Sequence, residues 1–168
     1  MRIKYFKTII PFFLFAVCFV IVSCQFSKGV KKDLNTGLSA SYNGLKIDDI
    51  FLADESGNRL SKNEIKLGAK VWVVASGVDY FTEKEGKVFP GCQILLTDQN
   101  QHEILNLPDA YADLTAGTPV AQAKILQAKL STGQPMVSGA TYHLHVRFYD
   151  KKDQEKNIVS NVDLKMEE

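Results

Sequence analysis

From Gly37 onward, apolar and polar positions alternate with a period close to two. That is the spacing of strands whose successive side chains face opposite ways. Leu45, Ile47, Asp49 and Phe51 alternate against Lys46, Asp48, Ile50 and Leu52, so this segment has an apolar end on each face. Lys70 to Ala75 is apolar on both faces and reads as a central strand. Val88 to Thr97 follows with Cys92, Ile94 and Leu96 on one face, and Pro90-Gly91 predicts a bulge or a late start. A turn over Asp98 to Gln101 leads into His102–Leu107 as a hairpin. Leu126, Ala128 and Leu130 resume the alternation. Tyr142, Leu144, Val146 and Phe148 form the clearest inward stripe, and Ile158, Ser160, Val162, Leu164 and Met166 line the last strand. Turn-forming clusters at 54–58, 133–135 and 150–154 separate these runs. About seven to nine short strands with turns between them predict an all-β fold, a single antiparallel β-sandwich over residues 37–168.

Two stretches break the rhythm. In 108–123, Pro108 to Asp113 and Thr118 to Ala123 each have the composition of one helical turn. In 79–91, Tyr80, Phe81 and Phe89 are mixed with Asp79, Glu83, Lys84, Glu85 and Lys87. Long loops on a β scaffold are where binding concentrates. Aromatic rings beside carboxylates stack and hydrogen-bond sugars or dock protein partners. Tyr80, Phe81, Phe89, Asp109, Tyr111 and Asp113 are therefore the candidate binding residues. The plainer alternative is that the rings close the ends of the core.

The run Gly139-Ala-Thr-Tyr142-His-Leu144-His-Val146 resembles the strand-F entry of fibronectin type III and other immunoglobulin-like domains. The resemblance implies a tyrosine corner, in which Tyr142 hydrogen-bonds back to backbone a few residues upstream and pins a Greek-key crossing. The 108–123 insertion is not standard for those domains.

The N-terminus follows another pattern. Arg2, Lys4 and Lys7 precede an apolar run from Ile9 to Val22. At roughly 14 residues it fits a signal segment and is short of the ~20 a helical span needs. Ile21-Val22-Ser23-Cys24 then resembles the lipobox of bacterial lipoprotein precursors at all four positions. The resemblance implies cleavage between Ser23 and Cys24, diacylglycerol on the Cys24 sulfur and acylation of the new N-terminus, with palmitate as a usual chain. Two rivals are an uncleaved anchor and an ordinary secretory signal. Polar residues directly after the run oppose the first, and bulky Ile21 opposes the second. Residues 1–23 are thus the expected signal peptide and 24–36 a lipidated tether. Lys28, Lys31 and Lys32 in it either meet anionic headgroups or are simply solvated. Gln25, where family sorting rules want Asp for inner-membrane retention, points to the outer membrane, facing the periplasm. The basic tether argues against surface display, which remains the alternative.

Charge and cysteine count narrow the function. The chain has 20 Lys and Arg against 19 Asp and Glu. Residues 1–23 hold three of the cations and no acid, so the mature balance is slightly negative. That opposes nucleic-acid binding, which wants a basic patch. With Cys18 in the signal and Cys24 lipidated, Cys92 is the only ordinary thiol, which leaves no internal disulfide. His143 and His145 lie on one face of one strand, opposite the apolar stripe. They suit a polar surface better than zinc, which needs a third ligand. No nucleophile-elbow, zincin, P-loop or dinucleotide motif occurs. The expectation is a lipid-anchored, non-enzymatic binding module of the cell envelope, without a cofactor, acting on a protein partner. A carbohydrate-binding lipoprotein is the alternative, and a metal-dependent hydrolase built on His143 and His145 is the remaining one.

Overall fold

The computed structural model describes residues 27–168. The strands are β1 (Lys28–Lys32), β2 (Ser39–Asn43), β3 (Asp49–Ala53), β4 (Glu64–Lys66), β5 (Lys70–Ser76) and β6 (Lys87–Val88). They continue with β7 (Pro90–Thr97), β8 (Glu103–Leu107), β9 (Thr118–Pro119), β10 (Ile125–Ser131), β11 (Thr141–Asp150) and β12 (Asp153–Glu167). One short 3₁₀ helix spans Val120–Lys124. The large sheet runs β1-β2-β12-β11-β7-β8, with β4 parallel to the far end of β12. A three-stranded sheet, β10-β5-β3, is the second layer, and β6 pairs with β9 apart from both. The protein is an all-β sandwich, its described strands antiparallel apart from the β4–β12 pairing and a single parallel bridge between Gly44 and Asn157.

The core lies between the two main layers. Leu144, Val146, Phe148, Ile158, Val162 and Leu164 come from the large sheet; Ile50, Leu52, Val71, Val73 and Leu126 come from the small one. Burying each such side chain contributes about 1.5–3 kcal/mol. The alternation of β11 matches the predicted stripe residue for residue, with His143, His145, Arg147 and Tyr149 facing outward. The two apolar ends of the 45–52 segment also have a cause. Leu45 and Ile47 are buried before β3 begins, and Ile50 and Leu52 are buried within it, so the inward phase slips by one residue. The slip falls where the chain crosses from β2 in one sheet to β3 in the other.

Two expectations need correction and a third is made more definite. The described residues form twelve strands rather than seven to nine, because β4, β6 and β9 are too short for periodicity to register. Of the one or two helical turns expected in 108–123, one forms, the 3₁₀ helix at Val120–Lys124, while Pro108 to Asp113 forms hydrogen-bonded turns. Residues 28–32 are not tether but the edge strand β1, paired along β2 from Lys28↔Asn43 to Lys32↔Ser39. Its partner edge, not its own polar composition, makes it a strand. The signal peptide, Cys24 and the lipobox lie outside the described residues.

The backward bond expected of Tyr142 is present: its hydroxyl accepts the Val137 N–H at 3.0 Å, five residues upstream. The ring is buried, so losing that acceptor leaves an amide with a poorer partner. Tyr142→Phe should lower stability by about 1 kcal/mol in urea unfolding. A change within error would mean that solvent replaces the hydroxyl without cost.

Candidate functional site

The two loops marked by the sequence are brought together by β6 and β9. Lys87 and Val88 pair with Pro119 and Thr118. A two-residue hairpin turn precedes β6: Lys84 and Lys87 exchange backbone bonds at 2.8 and 3.0 Å, and Glu85 and Gly86 sit at φ of 54° and 73°. Both central residues of a tight hairpin turn need that left-handed backbone. The start of the loop is fixed by Asp79, whose backbone exchanges bonds with Lys46 at 3.1 and 3.0 Å. Its middle is fixed by Asp150, a fully buried carboxylate that accepts the Thr82 N–H at 2.6 Å and the Lys152 N–H at 2.8 Å.

Between these anchors lies a cavity of about 460 Å³. Val78, Val88, Phe81 and Val120 supply apolar wall, and Tyr80, Asp79, Glu83 and Lys156 supply polar groups. Tyr80 is exposed and holds φ 71°, a left-handed conformation that a bulky side chain rarely takes. Such strain gathers at functional positions. Asp79 holds the turn by accepting the Tyr80 N–H at 2.9 Å. Lys124, 2.7 Å from the Asp79 carboxylate, and then the Tyr80 N–H keep its pKa below the usual range. Lys156 donates to the Tyr80 carbonyl at 3.0 Å and the Thr82 hydroxyl at 3.2 Å. Gly44 completes the wall, and a Cβ there would meet the Lys156 side chain at 2.7 Å.

The candidates divide. Tyr80 and Phe81 line the cavity. Phe89 is half-buried under the Lys152 ammonium, 4.3 Å from its ring centre, and touches the 108–123 loop at Gly117. Asp113 is exposed on a turn away from the cavity lining. Asp109 and Tyr111 have their polar atoms engaged within the protein. Asp109 accepts the Cys92 N–H at 3.0 Å and the Tyr111 N–H at 2.9 Å, and pairs with Lys151 at 2.7 Å. Burial alone would raise its pKa, but the Lys151 ammonium and the two amides outweigh it and the net shift is downward. The Tyr111 hydroxyl accepts from Gln127 N–H at 2.8 Å and donates to Gln127 C=O at 3.1 Å. It thereby caps the open edge of β10, and burial pushes its pKa up to about 12. Cys92 is fully buried; burial first, then the nearby Asp109 charge, push its thiol up to about 12.

Sequence reading missed Gly44, Lys156 and Val120 in the lining, and Asp150 beneath it. Lys156 arrives through the β11–β12 hairpin and Gly44 through the end of β2, so no local pattern marks either. Asp150 lies in a Asp-Lys-Lys-Asp run that has the composition of an ordinary turn.

The chain matches no family model and no curated protein. Among solved structures it is similar to the C-terminal domain of wzt, at 12% identity and a TM-score of 0.47, over 86% of this chain and 80% of that one.

The outer face of the large sheet has a second concavity, of about 360 Å³, lined by His143, His145, Asn161, Asp163 and Gln101. His143 Nδ1 lies 2.7 Å from Asp163 Oδ1, and His145 Nδ1 lies 2.8 Å from Asn161 Oδ1. His102 sits in the β7–β8 turn, 3.0 Å from Asp98. Among the described residues no three His, Cys, Asp or Glu side chains converge as a metal-holding group. The turn expected at 54–58 is held by its own side chain, with Asp54 Oδ1 accepting the Ser56 and Asn58 amides, both at 2.9 Å.

Proposed function

We propose that this protein is a lipid-anchored, non-enzymatic binding module of the bacterial cell envelope, and that its ligand enters the cavity between residues 79–88 and Val120. One observation carries the reading: the two irregular loops converge, and the exposed ring at their junction, Tyr80, is held in a strained backbone. Anchoring rests on the lipobox resemblance of Ile21 to Cys24, with the outer membrane facing the periplasm as the expected place. The partner is an envelope protein that places a side chain in the cavity.

Tyr80→Gly is the informative variant. Glycine accepts a positive φ without strain, so the change should raise stability by about 1 kcal/mol while removing the ring. A photo-crosslinking residue at Glu83, on the cavity lining, should give a discrete crosslinked species in intact envelopes that Tyr80→Gly eliminates. If the same species persists in Tyr80→Gly, the cavity is not the contact.

The second reading is a carbohydrate ligand. The Tyr80 and Phe81 rings beside the Glu83 carboxylate and Lys156 ammonium combine stacking surface with hydrogen-bond groups. A glycan array probed with the mature protein separates the two; silence across all glycans removes the carbohydrate reading.

A further inference from the structure

Val30 and Leu34 are the most exposed large apolar side chains among the described residues, at 74% and 85%. Single exposed apolar residues are ordinary. These two lie on, and just after, an edge strand that also carries Lys28, Lys31 and Lys32. Lys28, Val30 and Lys32 are exposed together along β1, with Gly29 covered by the Tyr42 ring. The next acid, Asp33, does not cancel that charge. It is buried, with Arg59 at 3.3 Å, and the same guanidinium also reaches Asp49 at 2.8 Å.

The anchor point is close. Only residues 25–27 separate Cys24 from β1, and four Cα steps span at most about 14 Å. The fold already takes hold at Ser27, whose carbonyl accepts the Gly44 N–H at 2.7 Å. A domain joined this closely to an acylated cysteine keeps its first strand near the bilayer.

We propose that the β1 edge is a membrane-docking surface for anionic phospholipid. Val30 and Leu34 enter the headgroup region, while Lys28, Lys31 and Lys32 pair with lipid phosphates, each contributing roughly a fivefold gain in binding. Docking along β1 also covers an open edge of the large sheet. Gly44 both bonds Ser27 and lines the cavity, so the ligand would be met beside the membrane surface.

The proposal rests on anchoring at Cys24, so the test supplies that anchor chemically. The mature chain is coupled through the Cys24 thiol to maleimide lipid in vesicles of phosphatidylethanolamine and phosphatidylglycerol, a reaction that buried Cys92 escapes. Lysine acetylation is then read by mass spectrometry. Lys28, Lys31 and Lys32 should modify about fivefold more slowly than in free solution, while Lys129 on the other sheet keeps its free rate. Val30→Asp with Leu34→Asp, at exposed positions outside the core, should restore fast modification. So should replacing the anionic lipid by phosphatidylcholine. Free-solution rates at all three lysines on the anionic vesicles overturn the proposal. Because coupling is chemical, that outcome is distinct from a failure of lipidation in cells, which palmitate labelling reads.

Discussion

Replacing Cys24 with alanine is expected to abolish palmitate incorporation altogether. The effect is all-or-none because one sulfur carries the proposed thioether, and acylation of the new N-terminus requires prior cleavage. Each buried methylene contributes about 0.8 kcal/mol and stable anchoring needs more than one chain, so all of the lipid-borne attachment depends on this residue. Docking by β1 alone is reversible and salt-sensitive. The control is Cys92→Ala, which should label like the wild type. Cys92 is enclosed in the core with its thiol pushed up to about 12, and a thiol so protonated is a poor nucleophile. Pulse labelling followed by immunoprecipitation checks both. Label persisting in Cys24→Ala would sink the lipoprotein reading.

The next largest effect is expected at Asp109. One carboxylate holds the Cys92 amide of β7, the Tyr111 amide of its own loop, and the ammonium of Lys151. Lys151 in turn donates to the Tyr111 carbonyl at 2.7 Å. Asp109→Ala leaves two amides without their acceptor and a largely enclosed ammonium without its partner, a loss of about 3 kcal/mol. That corresponds to a fall in Tm of roughly 10 °C for a domain of this size. Asp109→Asn keeps an acceptor oxygen but not the charge, and should fall between.

The pH dependence has a definite sign. The Asp109 pKa is lowered in the folded state, so its contribution is fully present above the ordinary carboxylate range. It is lost as pH falls through the lowered native value. The gap between wild type and Asp109→Ala should therefore be widest at neutral pH and shrink in acid. Urea unfolding at both conditions measures it; a gap independent of pH would mean the carboxylate acts only as a neutral spacer. Loosening Asp109 should also loosen the 108–123 loop, and with it the Val120 wall of the cavity.

The parts of the fold that were legible are those where one face is buried along a whole strand. Tyr142 to Phe148 and Ile158 to Met166 belong here, because a period of two survives wherever water lies on one side and core on the other; Lys70–Ala75 was legible instead as a continuous apolar run covered on both faces. The site was legible only as composition. Tyr80 and Phe81 were marked by aromatic rings among charges, and they do line the cavity. Tyr111 and Asp109 have the same composition, but their polar atoms bond within the protein. Whether an aromatic beside an acid faces a ligand or its own backbone depends on what lies opposite. For Tyr111 that is Gln127 on the edge strand β10.

The sequence by itself determined the strand pattern, the all-β class, the tyrosine corner and the lipobox match, since each depends on neighbours within about ten residues. Tertiary structure alone decided the rest. It made Lys28–Lys32 a sheet edge, paired β6 with β9, and brought Lys156 and Gly44 to the mouth of the 79–91 loop. The physical reason is that these contacts join segments far apart in the chain. Their partners are chosen by strand order and by the burial of the shared core, and no local pattern of apolar and polar residues encodes that choice.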